Sequence, residues 1–595
     1  MIVNNNYCAF RAVLRENMRK NSLDPKPWRF LDEYRGRLFD SEWPSLPQMF
    51  DIITERFPDN RCYEAFTPKH TCFTYTEAKA QFDKLSRWLY SKGVRKGDRV
   101  AVTGKNSPEW AIAYMGIVYM GAIVVPVDAT LTNAEIEHLV DFVEIKGIFL
   151  DADRFDAVGA DGKYSFKVSL EERGHEDSYI LNLPDVGPQP VKEPVSSDLA
   201  AFLFTSGTTG TPKAVMLSHE NLTFDAYSVQ SFMNVRPIDV FYAILPIHHA
   251  YTMLAVFIVS MSAGANVVFG KRLVVTSLLK EMKEGHVNML LAVPMLYNKI
   301  FSAIMKGIDK KGAIVKGIIH MLMKFCGFVK QTTGLNPGRV IFRGIRDKVS
   351  LADNRICISG AGPLPAETFK GFNQLGVDFI QGYGLTETSP IVTLNPAYSY
   401  QYSSIGKPFP GVEIDFINKD EQGNGEIVTR GKHVMKGYYK NPEATEETID
   451  KDGWLRTGDV GYADKDGFVY LTGRAKNIIV TEGGKNVFPE EIEDHFQLYY
   501  DVEQICVVGY MADEKLKIEG VACLIYPSAE VRHEYPDHGA MQIHMEQIVE
   551  AVNKELLPYK RIRKVFVVDE PLEMTSTKKI KRFAVAKKYK EMINA

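Results

Sequence analysis

Cysteine is scarce in this sequence, and the few thiols are scattered. Seven cysteines occur among 595 residues, and no two of them form a C-x-x-C pair. An odd number of cysteines without metal-ligand spacing argues against a disulfide framework and against a zinc site. The first residues also lack the basic start and apolar core of a signal peptide. We therefore predict reduced thiols and a cytoplasmic protein.

The chain also lacks a strong net charge, internal repeats and low-complexity tracts. Its formal charge is −3, with 45% hydrophobic and 24% charged residues, which is ordinary for a globular protein. Such a balance gives no reason to expect a nucleic-acid partner. A length of 595 residues exceeds what one hydrophobic core supports, so we expect two or more domains.

Two stretches, residues 110–127 and 251–270, are long and weakly charged, but neither is an unbroken apolar run. Gly116, Gly121 and Pro126 interrupt the first, and serine, threonine, asparagine and glycine interrupt the second. Both fit buried helices followed by strands, although their length alone would permit a membrane span.

Helical and strand patterns alternate along the first part of the chain. Residues 74–92 predict an amphipathic helix with a T-x-x-E start, and further helix starts stand at Ser107 and Thr132. Strand patterns at 99–103 and 122–127 lie between them. This alternation predicts an α/β fold with largely parallel, buried sheets. Beyond residue 473 a smaller pattern begins, with a helix at 489–497 and strands at 505–508 and 521–525, so we place a domain boundary at 473–476.

Residues 205–213 form the most informative segment of the chain. Two glycines, five hydroxyl side chains and Lys213 lie between the apolar, strand-like segments 199–204 and 214–217. Backbone N–H groups, hydroxyls and one cation are suited to a polyphosphate. A P-loop has different glycine spacing and leads into a helix, so this would be a phosphate loop between two strands.

Five further motifs follow in a fixed order, and together they carry a family resemblance over nearly the whole chain. The sequence resembles the adenylate-forming enzymes, which include acyl-CoA synthetases, nonribosomal-peptide adenylation domains and firefly luciferase. The motifs are Ser359-Gly360-Ala361-Gly362-Pro363-Leu364, Gln381-Gly382-Tyr383-Gly384-Leu385-Thr386-Glu387-Thr388, Thr457-Gly458-Asp459, Gly473-Arg474-Ala475-Lys476-Asn477 and Thr575-Ser576-Thr577-Lys578-Lys579-Ile580. The resemblance implies a large N-terminal domain of parallel α/β sheets with a barrel-like subdomain (residues 1–472), a hinge (473–476) and a small mobile α+β domain (477–595).

The resemblance also implies that ATP and Mg²⁺ bind to these motifs. Glu387 and Thr205 would hold the metal ion, because a hard cation prefers oxygen ligands. Tyr383 would offer its ring to adenine, and Asp459 and Arg474 would bind the ribose. The full predicted ATP/AMP set is Thr205, Ser206, Gly207, Thr208, Thr209, Gly210, Lys213, Gly360, Ala361, Gly362, Pro363, Gly382, Tyr383, Gly384, Thr386, Asp459 and Arg474.

A lysine near the C-terminus would complete the catalytic set of Lys213, Glu387, His249 and Lys579. In the family such a lysine lies between the carboxylate and the α-phosphate. This sequence departs from the family pattern, because Lys578 stands where a glycine normally precedes that lysine. The motif favours Lys579, and Lys578 remains the alternative. Lys476 would be the hinge residue, and Gly483, Gly484 and Lys485 would line a coenzyme A tunnel.

The segment 246–251 resembles the acyl-pocket segment of the family and places His249 at the carboxylate entrance. No aspartate occurs between Leu245 and Val259, so an amino-acid substrate is not expected. Apolar residues follow, namely Met253, Leu254, Val256, Phe257 and Ile258, and they fit either a fatty-acid pocket or a buried helix. Long-chain fatty acid–CoA ligases are the most similar relatives on this reasoning. Transfer to a phosphopantetheinyl carrier protein and an inactive lipid- or nucleotide-binding scaffold are the alternatives.

Two basic regions stand out against the near-neutral total. Residues 297–348 contain eleven Lys/Arg and two Asp, and Lys316, His320 and Lys324 share one helical face. This pattern predicts contact with an anionic membrane surface or, alternatively, a helix packed on its own domain. Residues 554–590 are also basic, which suits coenzyme A or simple solvation. The sequence does not predict an oligomeric state.

Overall fold

The elements around the predicted helix starts begin where the sequence places them. The computed structural model describes residues 24, 26–205, 212–271, 275–481, 485–513, 518–574 and 579–594. Thr74 caps its helix in a reciprocal capping box with Glu77, and Ser107 and Thr132 cap the next two. A side-chain oxygen at the N-cap satisfies a backbone N–H that the first helical turn leaves unpaired. The three starts are therefore confirmed.

Twenty-four strands occur among the described residues. They are β1 Arg61–Ala65, β2 Thr71–Thr74, β3 Arg99–Thr103, β4 Ile123–Val127, β5 Gly147–Leu150, β6 Phe166–Ser169, β7 Leu199–Thr205, β8 Lys213–Ser218, β9 Val240–Ala243, β10 Asn266–Phe269, β11 Met289–Ala292, β12 Ile356–Ser359, β13 Asp378–Gly384, β14 Ile391–Leu394, β15 Lys407–Pro408, β16 Val412–Ile417, β17 Gly425–Gly431, β18 Leu455–Ala463, β19 Val469–Arg474, β20 Ile479–Thr481, β21 Lys485–Val487, β22 Val502–Asp513, β23 Ile518–Pro527 and β24 Lys564–Val567.

The helices of the same residues alternate with these strands up to about residue 374. They are α1 Leu46–Arg56, α2 Tyr75–Ser91, α3 Pro108–Tyr119, α4 Asn133–Phe142, α5 Ala152–Phe155, α6 His219–Ser228, α7 Ala250–Thr252, α8 Val259–Ala263, α9 Val275–Glu284, α10 Pro294–Asp309, α11 Ala313–Thr333, α12 Gly338–Ile341, α13 Arg343–Asp347, α14 Ala366–Gln374, α15 Pro442–Thr448, α16 Pro489–Asp494, α17 Ala529–Glu534, α18 His538–Glu555, α19 Arg582–Lys588 and α20 Lys590–Asn594. A π-helical segment, Met253–Ile258, joins α7 to α8.

Two large, mainly parallel sheets build the N-terminal domain. One has the strand order β6-β5-β3-β4-β7-β8, and the other has the order β15-β14-β13-β12-β11-β9-β10-β1-β2. Their central pairs are parallel, and antiparallel pairs occur toward the edges, as at β7–β8 and β13–β14. The strands β16 to β19 form a separate antiparallel sheet within the predicted N-terminal domain. The predicted α/β fold class is confirmed.

The C-terminal domain has its own small sheets and its own core. Strands β22, β23 and β24 form a three-stranded sheet, and β20 pairs with β21. Two clusters of buried apolar residues lie on this sheet, and their members run from Ile479 to Ile593. The remaining core clusters of the described residues extend only to Val469. The predicted helix at 489–497 is shorter than expected and ends at Asp494.

The two weakly charged stretches are folded as helix followed by strand. Residues 110–127 contain most of α3 and all of β4, and residues 251–270 lead through the π-helical segment into β10. Both are almost completely buried among other elements of the N-terminal domain. Among the residues that the structure describes, no helix has the length and apolar character of a membrane span.

Candidate active site

The phosphate loop is the connection of an antiparallel strand pair. Strand β7 ends at Thr205, strand β8 begins at Lys213, and these two residues are opposite each other in the ladder. The predicted strand–loop–strand arrangement is therefore confirmed. Ser206, Gly207, Thr208, Thr209 and Gly210 lie outside the described residues.

A tyrosine that the sequence analysis did not identify connects Lys213 to Glu387. The Tyr438 hydroxyl donates a 2.9 Å hydrogen bond to Glu387 Oε1, and Lys213 Nζ lies 4.9 Å from the centre of the Tyr438 ring. The backbone supports this contact, because Met435 N donates to Glu387 O and the Tyr438 backbone bridges to Val215 of β8. Burial and the neighbouring Glu387 carboxylate raise the pKa of Tyr438, so its hydroxyl remains a proton donor.

Asp459 lies between two of the other predicted nucleotide ligands. Its Oδ2 accepts a 2.6 Å hydrogen bond from the Tyr383 hydroxyl, and its Oδ1 accepts a 2.7 Å bond from Arg474 Nε. Strands β18 and β19 place Asp459 directly opposite Arg474. Asp459 is buried, and its two oxygens thus hold an aromatic ring and a guanidinium in fixed positions. This arrangement offers a flat surface and paired polar groups to a nucleoside.

The two glycine-containing motifs beside Tyr383 bring backbone close to its neighbours. A Cβ atom at Gly384 would lie 1.6 Å from Pro390 O, and one at Gly360 would lie 2.8 Å from the Tyr251 ring. Side chains cannot be accommodated at such distances without movement of the chain. Ala361 adopts a positive φ of 65°, which is uncommon for a residue with a side chain. The remaining predicted residues here, Gly362, Pro363, Gly382 and Thr386, lie on the same segments.

The predicted carboxylate entrance is a cluster of His249, His248 and Asp128. The two imidazole rings lie 4.1 Å apart between centres, and His248 Nε2 is 3.6 Å from Asp128 Oδ2. Burial, together with the neighbouring His248, lowers the pKa of His249 to about 3. His249 is therefore neutral near pH 7, and a neutral imidazole can donate a hydrogen bond to a carboxylate without forming a tight ion pair.

Asp128 brings a carboxylate to this site that the search of 245–259 did not consider. It directly follows β4, so it lies at the carboxyl end of a parallel strand, where ligand sites of α/β sheets occur. Its Oδ1 accepts bonds from the Thr130 amide at 2.8 Å and hydroxyl at 2.7 Å. Asp128, His248 and His249 are also the group in the described chain whose ligand atoms are close enough to hold a metal ion. Asp128 is already bonded to Thr130 and lies against His248, so we assign it a supporting position.

The apolar residues after His249 belong to the protein core. Met253, Leu254, Val256, Phe257 and Ile258 are all fully buried in the π-helical segment. Phe257 packs edge-on against Trp110 and Tyr114, and the Tyr114 hydroxyl lies 3.5 Å from Met253 Sδ. Of the two interpretations of this run, the buried helix is confirmed, and these side chains give no evidence of chain length.

Lys579 is contributed by the C-terminal domain. Desolvation and the Arg474 charge lower the pKa of Lys579, and Asp459 opposes the shift. The Lys579 charge in turn makes a minor contribution to the lowered pKa of His249. The Lys579 side chain still reaches solvent. Ile580, the next residue, forms an antiparallel β-bridge with Met574. Lys578, the alternative, lies outside the described residues.

Arg582, three residues after Lys579, is fixed within the same domain. Its guanidinium contacts both oxygens of Glu493 at 2.6 and 2.8 Å and Glu490 Oε1 at 3.3 Å, and it also donates to Val507 O. Bidentate Arg–carboxylate contacts are among the stronger and more directional polar interactions. They fix the start of α19, and therefore the position of Lys579 relative to its domain.

Polar contacts join the C-terminal domain to the N-terminal domain near Pro363. Asn298 Nδ2 donates a 3.1 Å hydrogen bond to Gln497 Oε1, and Gln497 Nε2 donates to Pro363 O at 3.4 Å. Lys306 Nζ lies 4.4 Å from the centre of the Tyr500 ring. Hydrogen bonds and a cation–π contact of this kind are individually weak. Each of these contacts therefore adds little to the stability of the domain arrangement.

The predicted hinge and tunnel residues are only partly described. Lys476 lies in the 3-10 turn Ala475–Asn477, directly after Arg474 and β19. Burial and the Arg474 charge lower the pKa of Lys476, and Lys213 adds to this effect. Lys485 begins β21 with an exposed side chain, and Gly483 and Gly484 lie outside the described residues.

Glu387 and Thr205 are chemically suited to a hard cation. The Glu387 carboxylate is half-buried, and Tyr438 uses one of its two oxygens. Thr205 is half-buried at the end of β7, next to the phosphate loop. Carboxylate and hydroxyl oxygens are the ligands that Mg²⁺ takes, usually together with substrate phosphates and several waters. The donor set therefore fits Mg²⁺.

Known proteins are similar to this chain over most of its length. A chloroplastic long-chain-fatty-acid–[acyl-carrier-protein] ligase of Arabidopsis thaliana is 25% identical over 97% of this chain and 90% of that protein. A long-chain-fatty-acid–CoA ligase of Gallus gallus is 27% identical over 93% of this chain and 81% of that protein. Among solved structures, ATP-bound MatB from Rhodopseudomonas palustris has a TM-score of 0.71 and 25% identity, with 92% of this chain and all of that chain covered.

Two family models account for most of the sequence. One, described as AMP-binding enzyme, matches residues 50–439, and the other, described as AMP-binding enzyme C-terminal domain, matches residues 476–595. The first match alone covers more than half of the chain. Together with the site geometry, these matches show that the chain belongs to the AMP-binding, adenylate-forming enzyme family.

Proposed function

We propose that this protein is an acid–thiol ligase that activates a long-chain fatty acid with ATP and transfers the acyl group to coenzyme A. One observation carries the proposal. The Tyr438 hydroxyl bonds to Glu387, and its ring lies 4.9 Å from Lys213 Nζ. Asp459 in turn bonds to Tyr383 and Arg474, so the residues expected to bind the metal ion, the phosphates and the nucleoside are joined by direct contacts. Lys579 of the C-terminal domain would add a cation that serves the carboxylate and the nucleotide phosphate together.

In the first step a carboxylate oxygen of the fatty acid attacks the α-phosphorus of ATP. The bond between the α-phosphorus and its bridging oxygen breaks, and pyrophosphate leaves. Negative charge gathers in the transition state, so Lys579 would stabilise it by neutralising the carboxylate and the α-phosphate. Lys213 and the loop at 206–211 would hold the departing phosphates. Tyr383, Asp459 and Arg474 would hold the nucleoside.

Glu387 and Thr205 would hold Mg²⁺ next to the phosphates. The ion would supply charge neutralisation on the phosphate oxygens when it is bound. Tyr438 fixes one oxygen of Glu387 through its hydroxyl. It therefore orients a metal-binding carboxylate and is a positioning residue.

In the second step the coenzyme A thiol attacks the acyl carbonyl of the adenylate, and AMP leaves. We propose that residues 477–595 rotate about a hinge at 473–476, with Lys476 as the hinge residue, relative to residues 1–472. The rotation would withdraw Lys579 and bring Gly483, Gly484 and Lys485 to the acyl group. The weak polar contacts of Gln497 with the N-terminal domain are compatible with such a motion.

Long-chain fatty acids are proposed because relatives with this activity match over most of both chains. The second candidate acceptor, a carrier protein, is supported by the acyl-carrier-protein ligase of Arabidopsis thaliana. The basic stretch 554–590 suits either polyanionic acceptor. The described cysteines are all unpaired, which supports a cytoplasmic location.

The test is pyrophosphate release with ATP and Mg²⁺ across a series of fatty-acid chain lengths, each with coenzyme A, with a holo-carrier protein, or with neither. We expect turnover that peaks at long chains and rises with coenzyme A. Turnover that rises only with the carrier protein would identify the carrier protein, and not coenzyme A, as the acyl acceptor. No release with any acid would refute the enzyme and leave an inactive binding scaffold.

A further inference from the structure

The helix α11 exposes an apolar stripe that no part of the described chain covers. The exposed stripe consists of Ile314, Ile318, Met321, Phe325 and Phe328, and all five side chains are solvent-exposed. Their spacing of four, three, four and three residues aligns them along one side of the helix. Phe328 is 65% exposed and Met321 is 63% exposed, whereas large apolar side chains of this kind are usually buried.

The opposite side of the same helix is the one that packs on the domain. Met323 and Cys326 are buried in the adjacent core, together with Lys330. Lys330 Nζ contacts Asp378 at 2.7 Å, Asn373 Oδ1 at 2.7 Å and Val377 O at 3.0 Å. The helix is therefore fixed on its domain through one face, and the exposed stripe is not needed for that packing.

Exposed apolar residues concentrate in this region of the molecule. Nine of the twenty-two exposed large apolar side chains of the described chain lie within residues 314–341. Scattered single residues would need no explanation, but a contiguous apolar surface commonly marks an interaction site. The remaining members, Val315, Leu335, Val340 and Ile341, extend the apolar surface beyond the stripe.

Basic side chains accompany the apolar surface. Of the eleven Lys/Arg in residues 297–348, Lys330 and Arg346 are buried and structural, since Arg346 donates to the carbonyls of Leu351 and Ala352. Lys316 is paired with Asp309 at 2.9 Å. Seven further cations are exposed, against the two carboxylates Asp309 and Asp347, and they are Lys299, Lys306, Lys310, Lys311, Lys324, Arg343 and Lys348. Lys324 follows Met321 by three residues and precedes Phe328 by four, so it lies beside the stripe.

We propose that the exposed stripe inserts into the interface of an anionic lipid bilayer, with α11 parallel to the membrane and its neighbouring lysines against lipid phosphates. A helix with aromatic and aliphatic residues on one side and cations beside them is suited to this position. The stripe from Ile314 to Phe328 would span about 21 Å of membrane surface at 1.5 Å per residue. This role goes beyond the proposed ligase activity and does not depend on it.

Charge complementarity favours a lipid surface over the two other occupants. A second copy that placed its stripe on the first would bring two basic surfaces together. Residues 1–23 contain four Lys/Arg and one Glu, so that segment would also add like charge. An anionic bilayer supplies opposite charge and an apolar interior together.

The test is cosedimentation of the full-length protein with vesicles, without substrates. Vesicles of phosphatidylcholine alone are compared with vesicles that also contain phosphatidylglycerol, at low and high salt. We expect binding mainly to the anionic vesicles, with weaker binding at high salt. The double variant Phe325→Ser/Phe328→Ser should bind at least about tenfold more weakly, because it loses two aromatic rings that would be buried in the bilayer. Its matched control, Ile238→Ser/Ile543→Ser, removes two exposed side chains elsewhere and should bind like the wild type.

A charge variant separates the two contributions. Lys324→Glu should weaken binding to anionic vesicles about fivefold or more and leave binding to phosphatidylcholine unchanged. The proposal would be overturned if the wild type bound equally to vesicles with and without phosphatidylglycerol. It would also be overturned if the double phenylalanine variant bound like the wild type.

Oxidative footprinting of Met321 tests whether residues 1–23 or a second copy of the protein covers the exposed stripe. We expect strong labelling in the lipid-free protein and protection when anionic vesicles are added. Protection already present without lipid would mean that the stripe is covered by residues 1–23 or by a second copy. A concentration-dependent change in oligomeric state would then distinguish these two, and either result would overturn the proposal.

Discussion

The nucleotide side and the acid side of the candidate site have different electrostatic arrangements. On the nucleotide side, charged groups are joined in direct contact, as with Arg474 and Asp459 at 2.7 Å. On the acid side, burial and a neighbouring ring hold His249 neutral. The arrangement on the nucleotide side suits a triphosphate, which needs fixed charge around it. The arrangement on the acid side suits a fatty acid, whose single carboxylate must remain reactive toward phosphorus.

Lys579 is the group that would serve both sides, so its removal should have the largest effect. We expect Lys579→Ala to reduce adenylate formation by about 10³-fold, because a preorganised cation is lost from the transition state. Thioester formation from supplied acyl-AMP should persist, since that step does not need the lysine in place. Pyrophosphate release and thioester yield are measured separately.

The control for this prediction is Lys581→Ala, which removes a nearby lysine that is paired with Glu573. It should retain most of the activity. Full ATP-dependent activity in Lys579→Ala would assign the role to Lys578 instead, and Lys578→Ala would then show the loss.

Loss of the carboxylate at Glu387 should affect the nucleotide side alone. We expect Glu387→Gln to lower pyrophosphate release by about 10²-fold and to raise the Mg²⁺ concentration required, because an amide is a weaker ligand for a hard cation. Thioester formation from supplied acyl-AMP should be unaffected. The Mg²⁺ titration checks the assignment, and an unchanged titration curve would contradict it.

Tyr438 should give a smaller effect of the same kind. Tyr438→Phe keeps the ring near Lys213 but removes the hydrogen bond to Glu387, so we expect about tenfold lower activity and a higher Mg²⁺ concentration required for half-maximal activity. Tyr439→Phe is the matched control, since the Tyr439 hydroxyl faces Glu144 at 3.5 Å on the surface. Equal activities of the two variants would remove Tyr438 from the site.

His249 should give the smallest pH effect, because it does not titrate in the working range. Its folded-state pKa of about 3 lies below its ordinary value of 6.5, so the neutral form is present at every pH above about 5. The dependence of kcat/KM on pH between about 5 and 8 should therefore have the same shape in wild type and in His249→Asn. An inflection present only in the wild type would show that His249 titrates there.

The same shift predicts the direction of a stability effect. Between pH 6.5 and about 3 the unfolded chain binds a proton at His249 before the folded protein does, so stability is lost as the pH falls through this window. His249→Asn should lose less stability over that window than the wild type.

Local sequence predicted the fold well, because its elements depend on short-range patterns. The caps at Thr74, Ser107 and Thr132 and the strand pair around the phosphate loop require only neighbouring residues. The sequence shows Lys330 and Arg346 as part of a basic region, but it does not predict that both side chains are buried. Their burial depends on carbonyl and carboxylate partners from other parts of the fold.

The supporting residues could not be found in this way. Tyr438 reaches Glu387 from 51 residues away, through pairing with β8, and no motif surrounds it. Asp128 did carry a signal, since it directly follows the carboxyl end of the buried, interior strand β4. The apolar run at 253–258 shows the converse limit, because a pocket wall and a core helix have the same composition.

The contacts of Arg582 have a consequence for protein engineering. Arg582, three residues after Lys579, is bonded to Glu490 and Glu493 of its own domain, and the contacts with Asn298 and Pro363 pass through Gln497 instead. The C-terminal domain thus carries the proposed catalytic lysine on a segment that is fixed within that domain. Exchanging residues 477–595 between related ligases would transfer the lysine geometry intact, and only the few docking contacts would need redesign.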